Sequence, residues 1–331
     1  MYFADLSTRF AALLPTLQGR RFAVIGHARP DGDCIGSQVA MARLLRSLGV
    51  EAVCVNPDPV PRRLTFLTED MPFLRTDDIL PRAADYEAIF VDCADHDRAG
   101  ERLRHAFPSP ALAIDHHLSN GGFARNNFLD TKASATCELL AGMLLDNGLP
   151  IDRTMADALY AGILTDTGQF RFNSTTRITF GIASELLDRG VVPAEVAYHI
   201  YEREPFGKLR LLQRFLATLQ MECGGRACIG RLPLGVFAET GTNTEDAEGL
   251  VDYARIIEGV DVGVLIEERA DGTVKASLRA KDPRYRVDLI AAQFNGGGHA
   301  CAAGLSLKRD IGGFRERLVA AIQRQLDSVA P

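Results

Sequence analysis

Ile25-Gly26-His27-Ala28-Arg29-Pro30-Asp31-Gly32-Asp33-Cys34-Ile35-Gly36-Ser37 carries an apolar segment through a turn and into a helix, and its reading decides the fold. Upstream, the apolar run 21–26 reads as a buried strand. Downstream, 36–48 places Val39, Leu44, Leu45 and Leu48 at helical spacing. Pro30 and Gly32 rigidify and permit a bend between them that gathers His27, Asp31 and Asp33 around a cation. Gly36 and Ser37 are expected to open the helix and to offer unpaired N–H groups to an anionic substrate. Taken alone, the stretch also suits an Asx turn that caps a helix.

Working outward, 51–55, 88–91 and 112–114 are further short apolar runs, and 134–146 and 154–163 read as helices. Strands alternating with helices make a parallel, Rossmann-like sheet with helices on its faces, the α/β class. At 331 residues the chain exceeds one ordinary core and suits two domains. Residues 187–219 turn helical and polar, punctuated by Pro193 and Pro205. The expected division is a catalytic domain over 1–187, a helical linker over 188–219, and a smaller mixed-sheet α/β domain over 220–331. In the latter, 226–232 is a strand, 244–257 contains a helix, and 261–267 with 273–279 form a hairpin across Asp271-Gly272. A short helix over 287–294, the segment Gly296-Gly297-Gly298-His299 and an amphipathic helix over 311–326 close the chain.

Composition excludes several classes. With 47% hydrophobic and 24% charged residues the chain reads as globular, and no apolar run reaches the ~18 to 20 residues that span a bilayer. Residues 1–20 lack the basic start and apolar middle of a secretory signal, so a cytoplasmic location without membrane attachment is expected. Seven cysteines without a C-x-x-C pair argue against a disulfide framework and a structural zinc site. Cys34 and Cys93 are expected to be small buried thiols, because hard cations that handle phosphate prefer oxygen and imidazole. A net charge of −6 excludes a generally basic surface for long duplexes and leaves room for short nucleotides in a local basic pocket.

Three further stretches carry metal-ligand chemistry. Phe90-Val91-Asp92-Cys93-Ala94-Asp95-His96-Asp97-Arg98 puts Asp92 at the end of an apolar run, where a carboxylate is costly unless ligated, and where it can bridge two cations. Asp95 and Arg98 are expected to pair and orient the loop, with His96 and Asp97 on the surface. In Ile114-Asp115-His116-His117, adjacent residues diverge, so His116 is assigned to metal, His117 to the substrate as a phosphate contact or proton donor, and Asp115 to orienting an imidazole. Asp166, in Leu164-Thr165-Asp166-Thr167-Gly168, completes the set from a helix end. Two cations roughly 3.5 to 4 Å apart acidify water and neutralise phosphoryl charge. These carboxylates and imidazoles favour manganese, with magnesium or cobalt as substitutes.

The motifs H-x-x-x-D-x-D, V-D-x-x-D-x-x-R, D-H-H and D-T-G-x-F, followed by G-G-G-H, resemble those of the DHH phosphoesterase superfamily over nearly the whole chain. In length and arrangement they are most similar to its nanoRNase/pAp phosphatase group, bifunctional toward oligoribonucleotides and adenosine 3′,5′-bisphosphate (pAp). The resemblance implies one ion on His27, Asp31 and Asp92, and a second on Asp33, Asp92, His116 and Asp166. Catalytic roles fall to His117, Asp115 and Arg98. The second domain is implied to be a DHH-associated domain holding the nucleotide end through Ser277, Arg279, Gly297, Gly298 and His299. Consecutive glycines let backbone N–H groups approach a phosphate, onto which Arg279 can fork; Asn295 stands where the family commonly has another glycine. The implied partners are short single-stranded RNA, cut from the 3′ end, and pAp; a homodimer is left open. Rival readings are a cyclic or linear dinucleotide phosphodiesterase, a pyrophosphatase, a single-strand DNA exonuclease and an inactive nucleotide sensor.

Overall fold

The computed structural model describes residues 1–308 and 313–329, and the chain divides into two compact units, Met1–Arg203 and Glu204–Pro331. The helix Pro193–Tyr201 falls in the first unit and the helix Phe206–Leu216 in the second.

The first unit is built on β1 (Arg21–Ile25), β2 (Glu51–Asn56), β3 (Phe73–Arg75), β4 (Glu87–Val91), β5 (Leu112–Asp115) and β6 (Asn126–Leu129). All neighbours are parallel, in the order β3-β2-β1-β4-β5-β6. β1, β4 and β5 are buried almost throughout, as strands covered on both faces must be. The strand order reverses between β1 and β4, where an open α/β sheet leaves a crevice at the carboxyl ends of its strands. His27 and Asp92 follow those two strands, and Asp115 ends β5. β3 and β6 escaped the sequence reading because they are outer strands, short and only partly buried, with no apolar run to announce them.

Three helices complete the crevice: α1 (Gly32–Ser47), α2 (Thr136–Asp146) and α3 (Arg153–Asp166). α1 begins earlier than expected. The Asp31 carboxylate accepts the N–H groups of Asp33 and Cys34, both at 3.1 Å, and so caps the helix, leaving Asp33 in its first turn. Gly36 therefore lies inside α1, and the expected anion-binding N–H groups at Gly36 and Ser37 belong to the helix interior. Gly36 serves packing instead: a Cβ there would stand 2.3 Å from Ala158 O of α3. Gly162 similarly makes room on α3, where a Cβ would meet Cys137 Sγ at 2.3 Å and Asp33 Oδ1 at 2.9 Å.

The second unit contains β7 (Gln220–Glu222), β8 (Ala227–Leu232), β9 (Val262–Glu268), β10 (Thr273–Ala280), β11 (Gly297–His299) and β12 (Ala302–Lys308). Their order is β11-β12-β10-β9-β8-β7, antiparallel except for the parallel β8/β9 pair. The hairpin across Asp271-Gly272 forms, closed by Arg269 N donating to Thr273 O at 2.9 Å. One face of the sheet buries Val274, Ala276 and Leu278 against Leu318 and Ile322 of the helix Phe314–Asp327; positions 311 and 312 of the expected closing helix lie outside the described residues. The glycine segment forms part of the sheet: Gly297–His299 is an edge strand, and a Cβ on Gly298 would come within 2.4 Å of Ala302 O. Among the described residues, no helix is long and apolar enough to cross a membrane.

Candidate metal centre and substrate face

Asp92 sits at the centre of the crevice with a left-handed φ of 56°, strain of the kind that collects at functional positions. Its N–H donates to Ile114 O at 3.0 Å, fixing it between β4 and β5. Oδ2 stands 3.3 Å from His27 Nε2, and Oδ1 stands 3.7 Å from His116 Nε2 and accepts the Thr136 hydroxyl at 3.0 Å. One carboxylate thus faces both halves of the site.

Asp33 is anchored by the start of α2. The N–H groups of Thr136 and Cys137 donate to its two oxygens at 2.7 and 2.8 Å, where a helix N-terminus welcomes negative charge. His116 Nε2 lies 3.3 Å from Asp166 Oδ2 and 3.9 Å from Asp33 Oδ2. His27 Nε2 lies 3.8 Å from Asp31 Oδ1, and its Nδ1 is 2.9 Å from Ala28 O. Three groups of donor atoms converge to within 4.8 Å of one another: Asp33, His116 and Asp166; Asp92, His116 and His117; and His27, Cys34 and Asp92.

The charges fit divalent cations. Among the described residues, Asp31, Asp33, Asp92, Asp115 and Asp166 pair with His27, His116 and His117, and the carboxylates crowd one another around these imidazoles. Burial, and then the charge of Asp92, push the Asp33 carboxyl up to about 7. Burial with Asp33, Asp31 and Asp92 raises Asp166 well above the ordinary carboxylate range. Burial alone would lower His27, yet Cys34 and hydrogen bonds to Asp31 and Asp92 raise it far above a usual imidazole. Desolvation opposes ionisation of Asp31, and contact with His27 outweighs it and holds that carboxyl low. Repelling carboxylates that must bind protons in the absence of a cation are the electrostatic counterpart of a cation site.

His117 is held from behind. Its Nδ1 is 2.7 Å from Asp115 Oδ1, and Asp115 Oδ2 accepts the Asn120 amide at 2.8 Å. Burial works against the His117 cation, and the Asp115 hydrogen bond, with Asp92 nearby, outweighs it and raises the pKa. Asn120, which also donates to Cys93 O at 3.0 Å, and Thr136 were missed in the sequence because neither sits in a recognisable ligand motif.

Two expectations about the Asp92 loop change. The Asp95 carboxylate accepts the N–H groups of Asp97 and Arg98 as a cap, so it is occupied by backbone rather than by the Arg98 guanidinium. Arg98 contributes its carbonyl, which accepts Ala28 N–H at 2.8 Å and ties the β4 loop to the β1 loop. His96 is packed, stacking on Phe123 with centroids 5.1 Å apart. Cys34 and Cys93 are buried thiols, as expected, and Sγ of Cys34 stands among the donor atoms.

In the second unit, register gathers the named residues. Lys275, Ser277 and Arg279 alternate with buried Val274, Ala276 and Leu278 along β10, so they share the opposite face. Ser277 pairs with Gly304, which pairs with Gly297; Arg279 pairs with Ala302, which pairs with His299. Directly opposed residues share a face, so Arg279 and His299 occupy one row across three strands.

A reversed parallel sheet whose strand ends carry this Asp and His cluster, followed by a mixed-sheet unit, defines a class. The chain belongs to the DHH family: residues 21–163 match the DHH family N-terminal domain and residues 211–328 the DHHA1 domain. More particularly, it is 33% identical over 317 residues to the bifunctional oligoribonuclease and PAP phosphatase NrnA of Thermus thermophilus, spanning 96% of this chain and 93% of that protein. It is 31% identical over 304 residues to the probable bifunctional oligoribonuclease and PAP phosphatase NrnA of Streptococcus mutans, spanning 90% and 93%. The fold matches an exopolyphosphatase-related protein from Bacteroides fragilis with a TM-score of 0.87 at 23% identity, covering 98% of this chain and 96% of the other.

Proposed function

We propose that this chain is a two-cation phosphoesterase that hydrolyses very short RNA from its 3′ end and removes the 3′-phosphate of pAp. The observation that carries the reading is Asp92, whose two oxygens face His27 on one side and His116 on the other. The relatives named for oligoribonuclease and PAP phosphatase activity supply the substrate class. The cellular location proposed with it is the cytoplasm.

His27, Asp31 and Asp92 would hold one cation, and Asp33, Asp92, His116 and Asp166 the other, with manganese the expected occupant. When bound, such a pair supplies Lewis acidity toward phosphoryl oxygens and lowers the pKa of water. Thr136 and the α2 N-terminus keep Asp92 and Asp33 in place, so ligand geometry does not depend on substrate. His117, its pKa raised by the Asp115 hydrogen bond, gives its proton to the departing ribose oxygen; Asp115 in turn is oriented by Asn120. Ser277, Arg279, Gly297, Gly298 and His299 on the second sheet hold the nucleotide end, with Arg279 available to fork onto a phosphate.

One purified sample assayed against pAp, the dinucleotide pApA, a five-nucleotide RNA and pyrophosphate tests the reading. The expected result is manganese-dependent turnover of pAp and of both RNAs, with pyrophosphate poor. Exclusive turnover of the dinucleotide, or of pyrophosphate, overturns the substrate assignment.

A further inference from the structure

We propose that Cys34 is a ligand of the cation held by His27 and Asp92, which gives that half of the centre a sulfur donor and a preference for zinc or cobalt over magnesium. The proposal rests on the two-cation reading and narrows its chemistry. Cys34 lies in the first turn of α1 and is 0% exposed. Its Sγ converges with a ring nitrogen of His27 and a carboxylate oxygen of Asp92, all three within 4.8 Å of one another. Ligands at roughly 2.0 to 2.3 Å from a shared ion leave donor atoms spaced within that limit. Asp31 reaches the same imidazole from the exposed side, its side chain 49% exposed, while the thiol approaches from the interior.

A cysteine buried among apolar groups is an inert filler, but the surroundings of Cys34 are polar. Asn56, at the end of β2 and 1% exposed, directs Nδ2 at Sγ from 3.8 Å. Gln38 Oε1 lies 3.8 Å from Sγ, held there because Gln38 Nε2 donates to Val24 O and Val55 O at 2.8 and 3.1 Å. The carboxamide oxygen of Asn56 is buried without a hydrogen-bond partner. The Asn56 amide nitrogen faces Sγ, and an unpaired buried acceptor on the same carboxamide is costly unless a further polar occupant pairs with it. Ligation exchanges a proton for the cation: the S–H bond breaks, its electron pair stays on sulfur and is shared with the metal, and the proton leaves to solvent. Thiolate selects borderline ions, which magnesium is not.

The test uses the full chain, stripped with chelator and titrated with cobalt(II) while sulfur-to-cobalt charge-transfer absorption is followed in the near ultraviolet. The native protein and a Cys228→Ser control gain the band. Cys34→Ser loses it, and its zinc-over-magnesium preference in competition falls by about tenfold or more. Zinc-edge X-ray absorption on the unmodified protein gives the same answer without a variant, as one sulfur neighbour. Cobalt bound without the band, or a band that persists in Cys34→Ser, overturns the sulfur ligand and leaves the two-cation reading standing. Failure to bind cobalt at all overturns both.

Discussion

Asp92 Oδ2 stands 3.3 Å from His27 Nε2 across the place where the strand order reverses, joining the loop after β4 to the loop after β1. The contact places a carboxylate that faces both His27 and His116 where a parallel sheet opens, and the proposed two-cation site is expected to depend on it.

Asp92→Ala is therefore expected to lose bound metal from both positions and to lower turnover by on the order of 10³ or more, beyond any other single ligand change. The fold should persist, because the sheet core does not include the carboxylate. Metal content by plasma spectrometry beside kcat decides it: two ions retained with normal turnover would refute the bridge.

His117→Ala is expected to keep its metal and to slow the chemical step by about 10² to 10⁴, the usual worth of a positioned acid or base. Asp115→Asn tests the same arrangement through pH. Because Asp115 raises the His117 pKa, its removal lowers that pKa, and the alkaline limb of the pH–rate profile moves to lower pH. A limb that stays put, or metal lost from His117→Ala, would reassign the histidine.

Stability of the chelated protein should fall as pH rises from about 5 to about 8. Asp33 has a folded pKa of about 7, above its unfolded value. Such a group stabilises the fold below the unfolded pKa, and that stability disappears as pH passes the folded one. Asp166 is raised in the same sense. His27 is raised too, so the unfolded imidazole sheds its proton within this window while the folded one keeps it, which lowers stability in the same sense; Asp31, lowered, is ionised in both states here. Added manganese replaces the protons, so its effect on Tm should grow over the same interval. Melting curves with and without chelator at each pH check this; a manganese-induced rise in Tm that shrinks with pH would contradict it.

Arg279→Ala should raise KM for pAp and for short RNA several-fold or more while leaving metal content unchanged. Two-to-five-nucleotide RNAs should be degraded much faster than RNAs of about 25 nucleotides, because a net charge of −6 disfavours the long-range attraction that holds an extended strand. Measurement of kcat/KM over a ladder of lengths tests both statements. A flat profile, or an unchanged KM for pAp in the variant, would remove the second unit from substrate binding.

Much of this is legible in the sequence. Buried parallel strands announce themselves as apolar runs, and Asp92, Asp115 and His27 were readable because each carries charge or imidazole directly beyond such a run. What stayed hidden depends on contacts distant in sequence. Thr136 and Asn120 act through single hydrogen bonds to Asp92 and Asp115. The start of α1 depends on capping bonds from Asp31 to backbone N–H groups, which the residue pattern does not distinguish from a turn ligand. The strand at Gly297–His299 stays hidden because glycine favours neither state, and only pairing with β12 makes it one. The row joining Arg279 to His299 is likewise a property of register.

The most direct test of the central claim is phosphate release from pAp by chelated protein titrated with manganese, with bound ion counted at each point. Activity is expected to be absent without metal and to rise toward its maximum only as the second equivalent binds. Hydrolysis by metal-free protein, full activity with one ion, or none with both sites filled would contradict the two-cation account.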